Sequence, residues 1–318
     1  MIISRFVMSA AVMSFACLGT ACAAESDAES QSQLTSKPSS AIGESAEVIK
    51  TGFNAPDSAW RDVDPENTIL IDTDYGKIAV ELFPKVAPNH VERIKTLTRQ
   101  KFYDLITFHR VIDGFMNQTG DPKGDGTGNS ELPDLMAEFT FRRATNMPVT
   151  LIGARSIDPK NPNSGEIGVG FYKSLPIATQ PSSQAMLTKD GKVEAFGIHC
   201  PGVTSMARSG ENTGNSQFFL MRGASPWLDT QYSIWGSTVM GREHLTKFKV
   251  GTKGEPGFVP DKMNSVRMFA ELPEADRPKL QVLKTSSPAF KTYMASFKKA
   301  DGSYPDICDI SVPTRIKP

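Results

Sequence analysis

Two runs of β-branched residues around a four-residue turn set the first limit on what this chain can become. Thr68 to Thr73 and Ile78 to Phe83 flank Asp74-Tyr75-Gly76-Lys77. In the second run Ile78, Val80 and Leu82 alternate with Ala79, Glu81 and Phe83. Alternation with period two across a glycine-containing connection predicts a β-hairpin. Further runs of this kind lie at Phe102 to Phe108, Phe108 to Met116, and from Gly202 through Phe218-Phe219-Leu220. One helical stretch opens at Pro88, where proline is tolerated in a first turn. Its Val91, Ile94 and Leu97 recur on one face until about Gln100. A short helix is predicted from Pro288 to Lys298 and a last strand from Ile307 to Val312. There is no internal repeat. Many short strands and few helices predict a barrel or sandwich.

The chain has 318 residues, which suits one large domain or two small ones. Lysine plus arginine and aspartate plus glutamate each total 35, so the formal net charge is zero. A nucleic-acid binder normally carries a basic excess, so that class is disfavoured. No apolar run after residue 25 reaches the ~18 residues of a membrane span. The N-terminus reads differently. Arg5 is basic, Phe6 to Gly19 carries no charge, and Ala21-Cys22-Ala23 is an A-x-A cleavage pattern. Residues 1–23 are therefore expected to be a signal peptide, giving a periplasmic or secreted protein. Lipid attachment at Cys22 is the weaker reading, because Leu18 sits one place too early for a lipobox. Residues 24–60 are poor in apolar side chains and are expected to be a flexible linker, with order beginning near Trp60. Residues 61–318 are expected to form the folded domain. After cleavage two cysteines remain, Cys200 and Cys308. An oxidising compartment permits a disulfide, but sequence does not show whether they are close.

Two segments carry the chemistry. One runs from Phe108 through His109, Arg110, Phe115, Met116, Asn117, Gln118 and Gly120 to Asp121. The other runs from Ser205 through Met206, Ala207, Arg208, Ser209, Gln217 and Phe218 to Phe219. Strand alternation would place Phe108, Arg110 and Ile112 on one face. An arginine among apolar neighbours lines a groove or sits in a structural ion pair.

These segments resemble the two signature blocks of cyclophilin-type peptidyl-prolyl cis-trans isomerases. Ala87-Pro88, Phe102-Tyr103 and Trp227-Leu228-Asp229 match in order. The resemblance covers about residues 68–142 and 198–250. It implies a mainly β fold, a closed eight-stranded antiparallel barrel capped by two helices. Into this barrel a loop or hairpin region is inserted at about 145–196, with a hairpin expected between Ala185–Thr188 and Val193–Phe196 around Asp190-Gly191. The resemblance makes Arg110 and Gln118 the catalytic pair. It makes Phe115, Met116, Phe219 and Leu228 the apolar proline pocket, with Gln118 and Gln217 at its polar edge. Trp227 matches the tryptophan at the groove rim that contacts cyclosporin, and Tyr232 stands where many members have histidine. Arg208 and Ser209 replace the usual Asn-Ala at a place where the substrate backbone is held. The implied partners are proline-containing peptides and unfolded exported proteins, with cyclosporin as an inhibitor. No cofactor, metal or nucleic acid is implied, and a monomer is expected. The alternative is a proline-peptide binding or holdase module with little turnover.

The other constellations are weak. His90, His109, His199 and His244 are scattered and form no H-E-x-x-H. His109 is read as a satisfied structural histidine. Asp121 to Gly126 faintly suggests a calcium loop, but Lys123 takes a ligand position. Phe171-Tyr172, Leu175 and Ile177 give the insertion an apolar surface. It is therefore expected to pack on the barrel and to extend one groove wall.

Overall fold

The structure is a computed structural model and describes residues 53–157, 161 and 164–317. The expected signal peptide, and the linker up to residue 52, lie outside the described residues. β1 (Trp60–Asp62) precedes the hairpin of β2 (Thr68–Thr73) and β3 (Gly76–Leu82), then α1 (Pro88–Arg99). β4 (Arg110–Ile112) and β5 (Met116–Thr119) follow. The insertion supplies β6 (Phe141–Ala144), β7 (Val149–Ser156), β8 (Glu166–Tyr172), β9 (Leu175–Thr179) and β10 (Lys192–Gly197). β11 (Val203–Met206), β12 (Phe218–Met221), β13 (Ile234–Met240), β14 (Gly251–Thr252) and β15 (Ser265–Met268) come next. β16 (Leu280–Leu283), α2 (Pro288–Ala295) and β17 (Thr314–Ile316) end the chain.

The main sheet has nine antiparallel strands in the order β14-β4-β5-β12-β11-β13-β3-β2-β15. Its two ends are tied together by the segments that lead into β4 and β15. The Leu105 N–H donates to Met263 O at 2.8 Å, and the Phe108 N–H donates to Asp261 O at 2.8 Å. The sheet thus curls back on itself with nine strands where eight were expected, β14 being only two residues long. Ile69, Ile71, Ile78, Val80, Leu82, Phe108, Phe218, Leu220 and Trp235 fill its interior. The predicted α1 stripe of Val91, Ile94 and Leu97 joins them. Of the two helices expected to cap the barrel, α1 packs on this interior; after β13 a 3-10 turn, Arg242–His244, delivers Leu245 and Phe248 to it. The short helix α2 lies in the C-terminal extension and packs elsewhere.

The insertion is a sheet rather than a loop with a hairpin. Five antiparallel strands run in the order β6-β10-β9-β8-β7. The predicted first hairpin arm, Ala185 to Thr188, falls on a 3-10 helix, Ser182–Leu187. The second arm, β10, pairs with β6 and β9 instead. Local turn chemistry at Asp190-Gly191 suggested a partner next door, and tertiary pairing supplied one further away. The run from Ile307 to Val312 is likewise not a strand. It forms a 3-10 turn, Ile307–Asp309, and β17 follows it.

The four apolar residues singled out in the insertion are all buried. Phe171, Tyr172, Leu175 and Ile177 are buried in a second core on the outside of the barrel. That core also takes Ala79 from β3, Phe83 just beyond it, and Phe290 and Tyr293 from α2. Phe83 meets Tyr172 with ring centres 5.9 Å apart, and Phe171 meets Phe290 edge-on at 5.9 Å. Order begins earlier than Trp60, because Phe53 packs edge-on against Tyr293 at 5.3 Å. Glu81 is the one acid among the buried β3 residues. It receives both Arg61 guanidinium nitrogens at 2.8 Å and the Ser174 hydroxyl at 2.6 Å, so its buried charge is compensated. A disulfide joins Cys200 at the barrel to Cys308 in the C-terminal extension.

Candidate active site

The site is built on a row across adjacent strands. Antiparallel register sets Arg110 of β4 opposite Gln118 of β5. Gln118 stands opposite Phe219 of β12, and Phe219 stands opposite Ser205 of β11. Directly opposed residues share a face, so this row lies on one side of the sheet. Phe108 does not share it. Phe108 is an interior residue, because regular β4 begins only at Arg110 and the preceding segment pairs with residues 261–262.

Polar contacts run along the row. Arg110 Nη1 donates to Gln118 Oε1 at 3.2 Å, and Gln118 Nε2 donates to Gln217 Oε1 at 3.1 Å. Gln217 Nε2 donates in turn to the carbonyls of Gly126 at 3.1 Å and Gly128 at 2.8 Å. The chain starts on a fixed cation and ends on backbone acceptors, which orients both amides. Gly120 lets the glycine-rich loop turn back at this point, since φ is +87° and a Cβ would strike the Ser216 carbonyl. Arg110 is half-buried and forms no ion pair among the described residues. A guanidinium held by a neutral amide keeps donors for another acceptor.

The apolar candidates come together beside it. Met116, Phe219 and Leu228 are buried, and Phe115 is half-buried. Trp227 is 66% exposed, with its ring 6.0 Å from that of Phe115. Tyr232 meets Phe219 edge-on at 5.5 Å. Arg208 lies over the Tyr232 ring at 4.7 Å and the Phe139 ring at 5.1 Å, and its Nε donates to Gln231 O at 2.8 Å. Ser209 is exposed, and its N–H donates to the Thr213 hydroxyl at 3.0 Å. Ala207, half-buried against the same apolar cluster, is a neighbour that the sequence reading did not single out.

Behind the pocket lies a polar chain that sequence did not reveal. His199 is fully buried, and its ring stacks on Phe219 at 6.3 Å. Asp229 Oδ1 is 3.0 Å from His199 Nδ1 and accepts the His199 backbone N–H at 2.9 Å. With Nδ1 donating to the carboxylate, Nε2 accepts from the Ser205 hydroxyl at 2.9 Å. The Ser-His-Asp order is that of a hydrolase triad, but Ser205 is wholly buried and out of a substrate's reach. Arg155, on β7 of the insertion, donates to Asp229 Oδ2 at 2.9 Å. Asp229 was visible in Trp-Leu-Asp; Arg155 carried no signal, because its role depends on where β7 docks.

The remaining candidates resolve simply. The Asp121 carboxylate accepts the backbone N–H groups of Lys123 and Asp125, at 2.7 and 3.0 Å, so this loop is closed by its own backbone. Among the described residues no group of three histidine, cysteine or acidic side chains is placed to hold a metal. His109 is buried, but neither ring nitrogen has a partner, contrary to the expectation of a satisfied histidine. Burial pushes its pKa down from the ordinary value and keeps the ring neutral.

Comparison with known proteins agrees with this geometry. Residues 68–268 match the family described as cyclophilin type peptidyl-prolyl cis-trans isomerase. A probable peptidyl-prolyl cis-trans isomerase of Brucella suis is 35% identical over 222 residues, covering 65% of this chain and 85% of that protein. A putative peptidyl-prolyl cis-trans isomerase of Staphylococcus epidermidis is 28% identical over 201 residues, covering 61% and 87%. The crystal structure of cyclophilin AquaCyp293 from Hirschia baltica superposes with a TM-score of 0.70 at 34% identity, covering 81% of this chain and 93% of that one. The chain belongs to the cyclophilin-type peptidyl-prolyl cis-trans isomerases. It is an enzyme that accelerates rotation about the bond preceding proline.

Proposed function

We propose that Arg110 and Gln118 carry the isomerisation and that Phe115, Met116, Phe219 and Leu228 hold the proline ring. The observation that carries this reading is the Arg110–Gln118–Gln217 chain beside that apolar set. Rotation about a peptide C–N bond costs ~18–20 kcal/mol, because resonance gives the bond double-bond character. When the bond twists, the proline nitrogen becomes pyramidal and regains a lone pair. A guanidinium donor binds that nitrogen better in the twisted state than in either planar state, and this difference lowers the barrier. Gln118 would hold the turning carbonyl or the neighbouring backbone. Trp227 and Tyr232 would form the rim, with Gln217 at the polar edge. No nucleophile or general base is needed.

In this reading Arg208 and Ser209 alter the preference for residues before proline, and Trp227 admits cyclosporin. The inserted sheet supports the wall that carries Leu228 through Arg155 and Asp229. The clients are unfolded exported proteins met in the periplasm or outside the cell, consistent with the N-terminal pattern and with the Cys200–Cys308 disulfide. In this reading the enzyme acts as a monomer.

A proline-tetrapeptide assay with cyclosporin titration tests the proposal. Turnover that the drug suppresses at micromolar concentration is expected. Peptide binding without turnover would instead favour a holdase.

A further inference from the structure

Arg208 presents a fixed cation at the groove with no acid to meet it. Its guanidinium lies between the Tyr232 ring at 4.7 Å and the Phe139 ring at 5.1 Å. Among the described residues it forms no ion pair. Its one hydrogen bond there, from Nε to Gln231 O at 2.8 Å, leaves both Nη groups free to donate. The acids beside the two rings are already engaged. Glu138, next to Phe139, accepts from Asn89 and faces the His90 ring, and Asp229 holds His199 and Arg155. Stacking and the Nε hydrogen bond hold the head group in place, so pairing with a carboxylate would immobilise little more of it.

Its place along the groove follows from the strand pairing. Gln118, which holds the turning carbonyl in the proposed mechanism, donates to Gln217. The Ala207 N–H donates to Gln217 O at 2.9 Å, and Arg208 is the next residue. Arg208 thus lies beyond the polar edge, whereas Trp227 lies beside Phe115 at the apolar set. The residue before proline would sit over Gln118 and Gln217. The one before that, ~3.3–3.6 Å further along an extended chain, would come to Arg208. The cleft beside the guanidinium, lined by His90, Phe139, Met206 and Asn212, is about 10 Å³, room for a single water. It is too small for a side chain, so a client residue there meets a charge and not a pocket.

We propose that Arg208 selects clients with aspartate or glutamate two residues before the proline. The carboxylate would accept from the two Nη groups, and lysine or arginine at that place would be repelled. This rests on the groove assigned above, in which Gln118 holds the carbonyl before proline.

The test is protease-free isomerisation of acetyl-Xaa-Ala-Pro-Phe-p-nitroanilide by the full chain, with glutamate, glutamine or lysine as Xaa. At low salt, kcat/KM for the glutamate peptide should exceed that for glutamine about three- to fivefold and that for lysine about tenfold. The gap should narrow at high salt. Arg208→Gln should bring the glutamate and glutamine peptides within about twofold of each other, and Arg208→Lys should retain part of the difference. The readout is the ratio between peptides, not the absolute rate. Equal rates for the three peptides in the parent, or an undiminished order in Arg208→Gln, would overturn the proposal and leave the groove reading standing. If Arg208→Gln does not fold, an order in the parent that salt does not change overturns it equally. Turnover of none of the three would overturn the groove reading and the preference with it.

Discussion

The two faces of β3 look into different cores. Ile78, Val80 and Leu82 point into the barrel, where α1 and the other strands meet them. Ala79, and Phe83 just past the strand, point outward into a second core shared with the inserted sheet and the C-terminal extension. The first core belongs to the stretch that matches the family. The second is built largely from residues outside the barrel strands, and Phe219 and Leu228 of the proline pocket sit at its edge. The difference teaches that the pocket is backed by two structures with separate jobs. The barrel sets the register that places Arg110, Gln118 and Phe219, and the outer core holds the wall behind them.

This comparison can be broken or sharpened by variants of graded size. Excising the whole insertion would strip Phe171, Tyr172, Leu175 and Ile177 from the outer core, so single substitutions are better probes. Phe290→Ala, at a fully buried position of that core, should cost ~3–5 kcal/mol of stability. The tetrapeptide rate per folded molecule should stay near the parent's. Denaturant unfolding with activity on the same samples checks both, and a large fall in rate per folded molecule would merge the two jobs.

Cys308→Ser comes next. The disulfide closes a separation of 108 residues, and its loss should cost ~2–4 kcal/mol. Thermal unfolding of the variant reads this directly. A loss confined to stability would keep the C-terminal extension on the supporting side of the comparison.

Arg155→Gln is the smallest change and the sharpest. Arg155 is partly exposed, and such pairs are worth up to about 1 kcal/mol. Tetrapeptide kcat/KM should therefore fall by no more than about fivefold. A tenfold or greater loss in steady-state assays would make the inserted sheet part of the groove's chemistry and not only its backing.

The barrel half of the molecule was readable from sequence, because its signals are local. Alternation gave β2 and β3, the Pro88 start and the 3.6-residue stripe gave α1, and the two motif segments brought Arg110, Gln118, Gln217 and Phe219 together. The outer half was not readable, because its pairings are long-range. β10 chose β6 and β9 over a neighbour, the strand expected from Ile307 became a 3-10 turn, and Arg155 acquired a role only by docking on Asp229. The apolar residues of the insertion signalled burial without indicating against what. Phe108 was placed on the wrong face because alternation was carried through a segment that is not yet regular strand.

The central claim is that the Arg110 guanidinium lowers the rotation barrier. The most direct measurement is tetrapeptide isomerisation by Arg110→Ala, with circular dichroism and thermal unfolding confirming the fold. Losing a charge-assisted hydrogen bond of ~1.5–3 kcal/mol should lower kcat/KM roughly ten- to hundredfold at unchanged stability. A folded Arg110→Ala protein that isomerises the peptide at the parent's rate would contradict the account.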